Sequence, residues 1–92
     1  MNDRQLYQKK MQAQLDEWKA EAARLKAKAT QSDADAQLKA RAQARKLEER
    51  IEAGHVKLRE VADAGDDRWD SIKDGIESAW NNLKNAVHDA TR

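Results

Sequence analysis

The chain contains almost nothing that stops a helix. Among its 92 residues there is no proline, and glycine occurs only at Gly54, Gly65 and Gly75. Proline and glycine are the residues that end or weaken helices. Alanine occurs 17 times and charged residues make up 38% of the chain. A chain rich in Ala, Glu, Lys, Leu and Arg with so few breakers has long helices open to it and little else. The expected fold class is all-α: a helical hairpin or a three-helix coiled-coil-like bundle in a single domain over residues 1–92.

Large apolar side chains are scarce. Leu, Ile and Val total 13, Phe is absent, and three Trp add bulk. Ordering a chain costs roughly 1.5 kcal/mol per residue, which burial has to offset. Thirteen aliphatic residues are thin for that task, so additional burial through self-association is expected. The apolar residues are periodic rather than scattered, which favours this over disorder.

Three stripes carry the periodicity. Asn2 is a good N-cap with Gln5 in capping-box position. After it, Tyr7, Met11, Leu15, Trp18, Ala22, Leu25 and Ala29 recur at helical spacing in a stripe roughly 80° wide. That width is a seam of the kind coiled coils use. Residues 30–33 are a candidate break, with Ser32 and Asp35 as a possible capping pair. The rival is a continuous helix through residue 63, about 90 Å long.

The second stripe runs through Ala36, Ala40, Leu47, Ile51, Gly54, Leu58 and Val61, with a gap near Gln43 and Ala44. Gly65 then stands where a helix C-cap belongs, and Asp66 or Asp67 with Asp70 suits a new helix start. The third stripe, Trp69, Ile72, Ile76, Trp80, Leu83 and Val87, is the most amphipathic. The expected helices cover roughly 3–30, 34–63 and 67–90.

Charge and cysteine content exclude several function classes. Lys and Arg number 18 and Asp and Glu 17, and a net charge of +1 is not the basic excess of a dedicated nucleic-acid binder. Residues 4–28 hold a local run, Arg4, Lys9, Lys10, Lys19, Arg24, Lys26 and Lys28, but Asp16, Glu17 and Glu21 interrupt it. Without cysteine there is no disulfide, thiolate metal site or cysteine nucleophile. The N-terminus lacks the apolar core of a signal peptide, and no stretch approaches the roughly 20 apolar residues of a membrane span. The expected location is cytoplasmic.

The sequence holds one metal-like constellation, Glu52-x-x-His55, a spacing found in carboxylate-bridged di-metal bundles. Measured from the apolar stripe, Glu52 lies about 135° away and His55 about 75° away. The pair therefore reads as surface. His88 lies about 100° from Trp69, on the polar side. No recognisable nucleophile–base motif or phosphate loop occurs. No catalytic residue, cofactor, metal or small-molecule substrate is expected.

Two passages resemble a known family. Met1-Asn2-Asp3-Arg4 with Met11-Gln12-Ala13-Gln14-Leu15-Asp16-Glu17-Trp18 looks like the opening of small bacterial coiled-coil proteins of the stress-response type. Gly65-Asp66-Asp67-Arg68-Trp69-Asp70-Ser71-Ile72-Lys73, with Gly75 and Ala79-Trp80-Asn81-Asn82-Leu83, is similar to that family's ending. Together they cover roughly half the chain. Residues 37–61 depart from the family's glutamate- and tyrosine-containing pattern and keep only its periodicity. The resemblance implies a cytoplasmic helical protein and says little about mechanism.

The expectation is a non-enzymatic interaction or structural protein that self-associates through its seams. The residues expected to carry the contacts are Tyr7, Met11, Leu15, Trp18, Leu25, Leu47, Ile51, Leu58, Val61, Trp69, Ile72, Ile76, Trp80, Leu83 and Val87. The alternative is a peripheral lipid-binding protein that docks its third segment on membranes, since Trp-containing amphipathic helices lie at interfaces. The expected partner is a second copy of the chain, with a membrane surface or another protein as the other candidates.

Overall fold

The computed structural model describes residues 2–90. Two helices account for nearly all of them: α1, Asp3–Ala29, and α2, Ala34–Ala90. The protein is all-α. Helix α1 begins at the capping box expected for Asn2: the Gln5 backbone N–H donates to Asn2 Oδ1 at 2.9 Å, and the Asn2 N–H donates to Gln5 Oε1 at 3.2 Å. Two of the amide groups that a helix start leaves without partners are thereby satisfied.

The chain turns at residues 30–33 rather than continuing as one helix. Thr30 Oγ1 donates to the Ala27 carbonyl and Ser32 Oγ to that of Lys28, so two side chains close off the end of α1. The start of α2 is capped by Asp33, whose Oδ1 accepts from the Ala36 N–H at 2.9 Å. The cap is thus one residue later than the expected Ser32–Asp35 pair, because Ser32 already serves the preceding helix.

Helix α2 is not straight. A 57-residue rod would measure about 85 Å, yet the longest dimension of the protein is 53 Å and the other two are 20 and 17 Å. The reversal is concentrated at Gly65, with φ 71° and ψ 178°. This is backbone that side-chain-bearing residues avoid. It divides α2 into limbs 34–64 and 66–90, which lie side by side with α1.

Cross-chain contacts define their directions. Arg4–Asp66, Tyr7–Trp69 and Trp18–Trp80 are each 62 residues apart, so α1 and limb 66–90 run parallel and in register. Limb 34–64 runs antiparallel to both: Lys26 of α1 bonds Glu48, and Lys57, Glu60 and Ala64 face Gly75, Ile72 and Arg68 across one groove.

The core is one cluster. Met11, Leu15, Leu47, Val61 and Trp80 are essentially fully buried. The second stripe continues through Ala40 and Ala44, both buried, which closes the gap near Gln43; Ala36 at its start is exposed. Among the described residues no polar or charged residue belongs to the buried core, so apolar contact dominates the interior.

Candidate interaction site

The stripes meet around the two stacked tryptophans. Trp18 of α1 and Trp80 of limb 66–90 lie with ring centroids 5.1 Å apart and planes 25° from parallel. Nearer Gly65, Tyr7 and Trp69 are 5.4 Å apart and tilted by 42°. Aromatic pairs at such separations add about 0.5–1.5 kcal/mol beyond their buried area. Trp80 is 1% exposed. Its indole Nε1–H donates to Gln14 Oε1, which satisfies the only polar atom of that side chain.

All residues expected to make helix–helix contacts belong to this assembly. Met11, Leu15, Leu47, Ile51, Val61, Trp69, Ile76, Trp80, Leu83 and Val87 are buried in it. Tyr7, Trp18, Leu25, Leu58 and Ile72 are half-buried against it. The three stripes therefore pair with one another within one chain. Burial pushes the Tyr7 hydroxyl above its ordinary pKa, and the nearby Glu77 carboxylate pushes the same way. The Lys10 ammonium lies 5.6 Å from the Tyr7 ring centroid, within cation–π range.

Gly54 explains how three limbs come so close. A Cβ built on it falls 2.7 Å from Leu15 Cδ2, 3.2 Å from Leu83 Cδ2 and 3.4 Å from Trp80 Cζ3. Residues from the two other limbs thus occupy the space that any larger residue would need. The signal was present in the sequence as a glycine on a seam position inside a helix, a placement that marks close backbone approach.

Arg4 ties the Gly65 reversal to α1. Its Nε donates to Asp66 Oδ1 at 2.7 Å, and its Nη1 reaches the Val61 carbonyl at 3.4 Å and Gln8 Oε1 at 3.2 Å. One guanidinium thus bridges the two sides of the kink. The Arg4 bond, then one from Asn2, holds the Asp66 carboxyl below its ordinary pKa. Four of the seven bases in the run of residues 4–28 are engaged: Arg4 with Asp66, Arg24 with Glu21, Lys26 with Glu48 at 2.7 Å, and Lys10 over Tyr7.

The remaining grooves are shallow and mixed in character. One between α1 and limb 34–64 is lined by Lys19, Lys26, Glu48, Glu52 and His55. Another between α1 and limb 66–90 is lined by Gln14, Trp18, Arg24, Lys84 and His88. Among the described residues no three His, Asp or Glu side chains converge as metal ligands, and no helix is long and apolar enough to cross a membrane. Among the described residues Leu6, Leu38 and Val56 are the exposed large apolar side chains, at 51%, 67% and 41% exposure. Leu6 lies on α1, and Leu38 and Val56 lie 18 residues apart on limb 34–64.

No protein-family profile, no curated protein and no solved structure matches the chain.

Proposed function

We propose that this chain is a non-enzymatic helical protein that works by helix–helix association, with a second copy of itself as its first partner. One observation supports this reading above the others. The largest side chains are spent on faces that recognise helices, and the three faces are mutually complementary along their length. Every copy presents the same three faces, so limbs from two chains can satisfy each other as limbs within one chain do. The coiled-coil-like seams and a stress-related role in the cytoplasm are part of the reading; the stress connection rests on the resemblance of residues 1–18 and 65–83.

The test is mass in solution by size-exclusion chromatography with light scattering over a hundredfold range of concentration. A stable multiple of 10.5 kDa is expected to appear as concentration rises, and Trp69→Ala or Trp80→Ala is expected to lower both mass and helicity. A mass of 10.5 kDa throughout sinks the reading.

A second reading is favoured by the third limb. Trp69, Ile76, Trp80, Leu83 and Val87 form a clean buried face, which a lipid surface accepts if the limb swings outward. A blue shift of Trp emission on mixing with neutral or anionic vesicles is required; no shift with either removes it.

A further inference from the structure

The geometry points to Gly65 as an exchange hinge, through which limb 66–90 leaves its own bundle and takes the same place in a second copy of the chain. This inference rests on the association reading above and specifies how it is realised. Helix–helix hairpins ordinarily use loops of about two to five residues. Here a single residue performs the whole reversal, with φ 71° and ψ 178° on Gly65 alone. Returning that one residue to helical angles makes α2 a continuous rod, and glycine adopts those angles freely. Short hinges under conformational constraint are where exchange between copies occurs.

Straightening withdraws Trp69, Ile76, Trp80, Leu83 and Val87 from the core and leaves the matching faces of α1 and limb 34–64 bare. The surface that fits both gaps already exists on the second copy. Lys57, Glu60 and Ala64 line one groove with Arg68, Ile72 and Gly75, so limbs 34–64 and 66–90 run antiparallel on either side of the kink. A two-fold axis at that point lets limb 34–64 of each chain meet limb 66–90 of the other in the register seen within one chain. The contact is isologous and closed, and it re-forms the Trp18–Trp80 and Tyr7–Trp69 pairs between chains.

One feature holds the closed form: Arg4 bonds both sides of the kink, to Val61 and to Asp66.

The test uses the full chain carrying Gly65→Ala, which penalises the kink and favours the continuous helix. Its dimer, twice 10.5 kDa, is expected to form at least about a hundredfold more tightly than that of the parent. Spin labels on Arg50→Cys and Asn82→Cys, with labelled chain diluted in unlabelled, read the distance within one copy. It is expected to rise from under the 20 Å width of the protein to about 48 Å, the length of 32 helical residues. A helical Gly65→Ala monomer with a short distance overturns the hinge. A dimer with a short distance, in either protein, overturns exchange while leaving association through intact bundles standing. A monomer with a long distance that binds neutral vesicles gives the hinge a lipid partner and overturns the second copy as its occupant. Where Gly65→Ala does not fold, Arg4→Met removes both bonds across the kink and is held to the same outcomes.

Discussion

The two ends of the bundle are built from different materials. Towards Gly65 the limbs meet through Tyr7, Trp69, Met11, Leu15, Trp18 and Trp80. Towards the turn at residues 30–33 the buried positions include Ala22, Ala29, Ala40 and Ala44, set among Leu47, Ile51 and Val87. Both ends are closely packed, by different means: one fills wide gaps with rings, the other sets alanines between aliphatic side chains. Stability should therefore respond oppositely to volume, the aromatic end failing when side chains shrink and the alanine end when they grow.

The largest expected effect is at the aromatic end. Trp80→Ala removes the largest fully buried side chain and orphans Gln14, and should cost about 3–5 kcal/mol in denaturant unfolding. A loss below about 1 kcal/mol would show that the alanine end sustains the fold by itself. At the other end, Ala44→Leu should cost about 1–3 kcal/mol by overpacking. A gain there would mean the alanine end holds unfilled space, and the contrast would disappear.

Two glycines sharpen the comparison within a single residue type. Gly54→Ala forces a methyl against Leu15 and should destabilise by about 1 kcal/mol, after the better helix propensity of alanine offsets part of the clash. Gly75 has nothing within 4 Å of a built Cβ, so Gly75→Ala should stabilise by about 0.8–1 kcal/mol. Equal signs in thermal unfolding would refute the assignment of Gly54 as the point of closest approach.

The smallest effect concerns acid. Arg4 depresses the folded-state pKa of Asp66 below its ordinary 3.8. The stabilisation is present above that value and is lost as pH falls through the lower folded-state pKa. Arg4→Met should flatten this part of the acid unfolding profile, and an unchanged profile would show that the Arg4–Asp66 bond does not stabilise the fold.

The helical class, the three faces and the Asn2 capping box were legible because each depends on spacing along one helix. Tyr7, Leu15 and Trp18 lie on one face whatever lies opposite. Which chain supplies the opposite face is not a property of spacing, so the same stripes read equally well as an oligomer seam or as the interior of one copy. Arg4 and Gln14 were not legible as structural residues, and Gly54 only as a seam position, for a related reason. Arg4 acts on Asp66, Gln14 on Trp80, and Gly54 on Leu15 and Leu83, and all these pairings are distant in sequence. The cap at Asp33 was misplaced by one residue because Ser32 and Asp33 are both competent caps. Only the demand of Lys28 for a partner decides between them.

The two joints of the chain would also experience insertions and deletions differently. Residues 30–33 form an exposed turn in which added length can loop outward, leaving the helices on either side undisturbed. The Gly65 joint has no slack. One residue added there rotates limb 66–90 by about 100° and turns Trp69 and Trp80 away from Tyr7 and Trp18. Length variation among descendants of this sequence should therefore accumulate at the first joint, while the second holds the count from residue 34 to residue 80 constant.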